Sequence, residues 1–149
     1  MDNPQEQTRH QDQAVSDTTV TIYPMSIGND KASVEVKRIA YEDNLDWWIK
    51  LTRSEKRVLE VPVSKEIVVD SNTSVFYQDS LHLKYVKDTR IKHITYSFIR
   101  SNTLYFEVLF ENQKAQKEIF GRFNLFYGTE KKGEIYGLIT DSIADISFQ

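Results

Sequence analysis

Between residues 94 and 139 the chain keeps a two-residue period, and that alternation limits its fold more than any other feature. Apolar groups recur at Ile94, Tyr96 and Phe98, then at Leu104, Phe106, Val108 and Phe110. They recur again at Ile119, Phe123, Leu125 and Tyr127, with Gly121 in step, and at Ile135 and Ile139 around Gly137. Successive side chains of a β-strand point to opposite faces, so this pattern predicts half-buried strands, whereas a helix would repeat at three and four residues. Leu81, Leu83 and Tyr85 extend the series, giving five strands within residues 81–140. The breaks between them (87–90, 101–102, 112–117 and 128–133) are short and polar. Neighbouring strands should therefore pair antiparallel, as a meander. Ile146 and Phe148 offer one more closing strand.

Matching the apolar sets predicts the register, because a slip of one residue would turn every side chain to the wrong face. Leu83 should lie opposite Tyr96, Tyr96 opposite Phe106, Phe106 opposite Phe123, and Phe123 opposite Gly137, with the glycine making room for the ring. The same register puts Glu107 beside Arg122 on the second face, and gathers Tyr105, Leu109, Phe120, Phe126, Tyr136 and Leu138 there. Both faces are thus apolar. Either residues 33–77 cover the second face or it is a contact surface.

The N-terminal half is less regular. Val20 and Ile22 alternate with threonines before Pro24 interrupts, which predicts a short first or edge strand. After the turn-forming Gly28-Asn29-Asp30, the pattern of Val34, Val36, Ile39 and Tyr41 predicts a strand with a bulge near Lys37 and Arg38. Residues 45–63 satisfy two templates. As a hairpin, Trp47, Ile49 and Leu51 face Leu59, Val61 and Val63 across a turn at 53–56, with Pro62 demanding an edge; as a helix, Asn44 caps a stretch with Leu45, Trp48, Ile49 and Thr52 on one face. Ile67 to Val69 and Val75 to Tyr77 read as two further short strands. The expected architecture is all-β, a sandwich or an up-and-down, lipocalin-like barrel of about eight to ten strands with little helix.

Length and composition fit one such domain. The chain has 149 residues, 40% of them apolar, with eight Phe, eight Tyr and two Trp, so one substantial core can form. Residues 1–18 are poor in apolar groups and rich in Gln and Asp, which predicts a flexible polar tail ahead of a single β domain over 19–149. A net charge of −3 argues against a general nucleic-acid binder. No apolar run approaches the roughly 20 residues of a membrane helix, and the N-terminus lacks the basic start and apolar stretch of a signal peptide. The chain is expected to be cytoplasmic, or trimmed from a precursor and then periplasmic or tethered at the cell surface.

No constellation points to catalysis. There is no cysteine, which removes disulfides, thiolate metal sites and a Cys nucleophile. Of three histidines, His10 lies in the tail, and His82 and His93 fall about 13 Å apart along their strands at the usual rise, too far to share a metal. No GxSxG elbow, HExxH pair or glycine-rich phosphate loop occurs, and the acidic pairs near Glu42-Asp43 and 141–145 sit where turns favour Asp. Lys84, Lys87, Arg90, Lys92 and Arg100 interleave with aromatics as at a single-strand nucleic-acid surface, but register turns Tyr85, Tyr96 and Phe98 toward the core and leaves the basic groups elsewhere. No metal, cofactor or enzymatic activity is expected.

A Gln-, Asp- and Ser-rich leader before a cysteine-free β domain rich in Tyr, Phe, Ile, Lys and Asn resembles, in composition, the trimmed mature part of a small Bacteroidetes-type lipoprotein. That resemblance implies an exported domain tethered by a lipid whose cysteine left with the precursor end. The residues themselves support a binding module. One expectation is a protein partner on an apolar face around Trp48, Tyr105, Leu109, Phe120, Phe126 and Tyr136. The alternative is a small apolar ligand in a barrel cavity lined by Tyr85, Tyr96, Phe106, Phe123 and Tyr127.

Overall fold

The computed structural model describes residues 15–42, 44–70, 88–112 and 114–145. They form β1 (Val15–Ile27), β2 (Asp30–Tyr41), β3 (Leu45–Arg53), β4 (Lys56–Val63), the short helix α1 (Lys65–Asp70), β5 (Arg90–Arg100), β6 (Thr103–Asn112), β7 (Lys117–Phe126) and β8 (Ile135–Asp145). The strands make two four-stranded antiparallel sheets, β1-β2-β3-β4 and β5-β6-β7-β8, each in sequence order.

Two-residue turns set the hairpins. Gly28 takes a φ of 60° at the β1–β2 corner, the first central position of a type II′ turn. Ser54 and Glu55 (φ 51° and 66°), and Ser101 and Asn102 (φ 51° and 62°), both adopt the left-handed pair of a type I′ turn. Such turns twist with their strands, which is why β3–β4 and β5–β6 close without a loop.

Residues 45–63 are the hairpin and not the helix: Trp47 pairs Val63, Ile49 pairs Val61 and Leu51 pairs Leu59, with Pro62 on the edge strand β4. In the second sheet the expected rows Tyr96–Phe106, Phe106–Phe123, Phe123–Gly137 and Glu107–Arg122 are all present. One inter-sheet core holds Val34, Val36, Trp47, Ile49 and Leu51 from the first sheet against Ile94, Phe106, Phe110, Phe123 and Leu125 from the second. The Trp47 indole N–H donates to the Ile91 carbonyl at 3.3 Å, and the Tyr23 and Tyr96 rings meet at 5.4 Å, tying the layers together. The fold is an open β-sandwich. A closed barrel does not form among the described residues, because β4 runs into α1 instead of pairing with β5.

Several expectations are corrected. Residues 67–69 are helical: the Ser64 hydroxyl accepts the Ile67 N–H at 3.1 Å, a capping bond that starts α1 and outweighs the β preference of Ile67-Val68-Val69. β1 begins at Val15, so residues 15–18 belong to the first strand and not to the tail, and the Asp17 carboxylate meets Arg38 at 2.8 Å across the pair. β2 has no bulge at Lys37 and Arg38, since its pairing to β3 is continuous there and Arg38 keeps its place opposite Trp47. Gly137 does lie opposite Phe123, but the space its missing side chain leaves is filled by α1, where a Cβ would collide with the Val68 carbonyl. The expected strands at 75–77 and 81–85, the closing strand at 146–148 and residues 1–14 of the tail lie outside the described residues.

Candidate interaction face

The first sheet covers the side of the second that carries Phe106 and Phe123; the opposite side is exposed at Phe98, Phe120 and Tyr136 and buried at Glu111 and Glu118. A bulge between Tyr96 and Phe98 adds an aromatic to that outer side. Strict alternation puts Phe98 with Tyr96 toward the core; the register shift instead pairs Phe98 with Tyr105, and their rings stack at 4.4 Å and 8°. Phe98 is 48% exposed. Nothing in the alternation signals this, because a bulge is an extra residue whose position the pattern does not mark.

Register lays the outer side out in rows. His93, Leu109 and Phe120 form one; Thr95, Glu107 and Arg122 form the next; Phe98, Tyr105, Asn124 and Tyr136 form the third. Phe126 lies beside the third, with its ring edge-on to Tyr136 at 5.3 Å and the Lys131 ammonium 5.5 Å from its centre. Phe120 and Tyr136 are exposed, while Tyr105, Leu109 and Phe126 are half-buried. Two aromatic rows therefore flank a charged one.

Trp48 does not join them. Its neighbours Trp47 and Ile49 point into the core, so Trp48 projects from the outside of the first sheet, where Lys37 sits 6.0 Å from its ring. The two outer faces of a sandwich look in opposite directions, and the expected grouping of Trp48 with Phe120, Phe126 and Tyr136 is overturned. A single strand's alternation cannot show on which layer its outer side lies.

The expected cavity residues are packed as core. Phe106 and Phe123 are 1% and 0% exposed and stack on each other at 4.9 Å, and Tyr96 meets Phe106 edge-on at 5.7 Å. Tyr127 packs at the margin of the same cluster, and burial raises the Tyr96 phenol above its ordinary pKa of 10.0, with a smaller contribution from Tyr127. Tyr85 lies outside the described residues.

At the far end of the outer side, charges are paired. Lys92 reaches the Glu118 carboxylate at 2.7 Å and Arg90 reaches Glu111 at 3.0 Å. The Lys92–Glu118 hydrogen bond holds the ammonium above its ordinary pKa of 10.5, against an opposing effect of burial. Two of the basic residues that suggested an anion surface are thus already neutralised. His93 meets the Trp47 ring edge-on at 6.3 Å, and among the described residues no three His, Asp or Glu side chains gather as metal ligands.

An open cleft lies where the ends of β3, β4 and β5 meet, lined by Tyr41, Asp46, Trp47, Lys65, Glu66 and Arg90 among others. Glu66 pairs with Lys65 at 3.6 Å, and no histidine is among the cleft's lining residues. No protein-family profile matches the chain, and no curated protein resembles it significantly.

Proposed function

We propose that this chain is a non-enzymatic interaction module that takes a protein partner on the outer face of the β5–β8 sheet. The observation that carries the reading is the exposure of Phe98 and Tyr136, at 48% and 38%, on a sheet face that the sandwich's own packing leaves outward. Aromatic side chains with an arginine among them are the composition of protein-binding surfaces, since rigid rings contribute large contact area at low entropic cost. Glu107 and Arg122 between the rows would fix orientation more than affinity.

The test is a Phe98→Glu/Tyr136→Glu variant of the full chain, compared with wild type by crosslinking capture in cells that express it. Both positions are exposed, so the variant should keep its circular dichroism and melting temperature yet lose the wild-type partner. Recovery of the same partner by the folded variant would overturn the proposal.

A further inference from the structure

Among the described residues the sandwich has four edge strands, which differ in how they are guarded against pairing with another strand. β4 carries Lys56, Arg57, Glu60 and Pro62. β5 carries Arg90, Lys92 and Arg100 and two register shifts, and the pairing of β8 to β7 holds another. Charges and bulges of this kind keep edges from recruiting further strands. β1 is different. From Thr18 to Ile27 it holds no charged residue and no register shift, over a strand of 13 residues, and its one charged group, Asp17, is engaged by Arg38.

The hairpin geometry says which backbone groups this edge offers. In a two-residue turn the flanking residues, here Ile27 and Asp30, form a closely hydrogen-bonded pair, so the odd-numbered residues of β1 direct their N–H and C=O toward β2. The even-numbered ones, including Thr18, Val20 and Ile22, then direct theirs outward. Pro24 obeys the same rule, with its missing N–H on the outward side, as proline in an edge strand requires. On the outer face Val20 and Ile22 are 45% and 59% exposed.

We propose that β1 is a dimerisation edge that pairs antiparallel with β1 of a second copy of this chain, about a two-fold axis at Thr21. The segment is its own complement in that register. Val20 falls opposite Ile22 of the second copy and Ile22 opposite its Val20, so each exposed aliphatic side chain meets another, and these two pairs are the ones whose backbone groups point outward. Thr21 meets Thr21, and Thr18 meets Pro24, which still accepts through its carbonyl. No charge opposes a like charge, since Asp17 falls opposite Met25. The two first sheets become one continuous eight-stranded sheet, an isologous contact of the kind a two-fold demands.

Sedimentation of the full chain across micromolar to submillimolar concentrations should show a monomer–dimer equilibrium. Thr21→Lys puts two ammonium groups face to face at the axis and should weaken dimerisation at least tenfold without changing the melting profile measured when monomeric. The chain has no cysteine of its own, which allows a register test independent of affinity. Under mild oxidation Thr21→Cys should crosslink to a dimer, while Thr18→Cys, separated from its copy by roughly 20 Å along the strands, should not. A wild type that stays monomeric throughout, a dimer indifferent to Thr21→Lys, or equal crosslinking at the two positions would each overturn the proposal. So would a monomer whose β1 amides become protected only on adding an extended segment of another protein.

Discussion

The second sheet carries a stacked aromatic pair on each of its faces, and the two differ in almost nothing but their surroundings. Inside, Phe106 and Phe123 lie 4.9 Å apart at 12°; outside, Phe98 and Tyr105 lie 4.4 Å apart at 8°. The inner rings are sealed by the first sheet, and Phe98 is half exposed. Ring geometry is therefore no measure of what a pair contributes to folding. Burial decides that, and what the outer pair leaves uncovered is available for contact.

The largest expected effect breaks the pair inside the core. Phe106→Ala removes a fully buried ring from between Tyr96 and Phe123 and should cost about 3–5 kcal/mol of unfolding free energy. Phe98→Ala loses a stack and little burial and should cost less than about 1 kcal/mol. Urea denaturation of the two variants checks the contrast; equal losses would mean that the outer pair is as much core as the inner.

A smaller effect should come from the same sheet at Gly137, where the neighbour is backbone and cannot rotate away. Gly137→Ala would press a methyl group into the Val68 carbonyl of α1, and overpacking of this kind costs typically about 1–3 kcal/mol. Hydrogen exchange should locate the damage in α1, with the Phe106–Phe123 stack unchanged. Uniformly faster exchange through β6 and β7 would show instead that the glycine serves the ring opposite it.

That difference also marks where sequence reasoning reached its limit. Alternation is a property of one strand and its neighbour, so the 96–106–123–137 row follows from it, whereas residues 45–63 also fit a helix and only the β3–β4 pairing decides for the hairpin. The positions of the corners at Gly28 and Ser101, and at Ser54 within the hairpin alternative, were legible because turn residues interrupt an alternating pattern, but their types were not. Three further features were not. The bulge that turns Phe98 outward adds a residue without changing composition. The helix at 65–70 depends on one hydroxyl, that of Ser64, in a segment whose β-branched residues suggest a strand. The side on which Trp48 lies depends on how two sheets stack, and no pairing pattern within either sheet contains that information. The outer face of the second sheet therefore keeps the expected rows but includes Phe98 and not Trp48.

The smallest expected effect lies at the charged end of the outer face. Lys92 has a folded-state pKa raised above 10.5, chiefly by its hydrogen bond to Glu118. A raised pKa means that the folded state holds the proton more tightly than the unfolded chain, so the stabilisation is fully present below that value and is lost as pH rises through the folded one. The Lys92 side chain is 39% exposed, so solvent screening limits the contribution to about 1 kcal/mol or less. From about pH 7 to about pH 9.5 Lys92→Met should accordingly be less stable than wild type by a constant margin, which should shrink above about pH 10.5 as the wild-type ammonium deprotonates. Half-buried Tyr96, also raised above its ordinary value, adds an alkaline loss common to both proteins, so only the difference between them isolates the ion pair. A margin that persists at the highest pH would assign the Lys92 effect to its aliphatic stem packing on the sheet, placing that end of the outer face with the core pair and not with the exposed one.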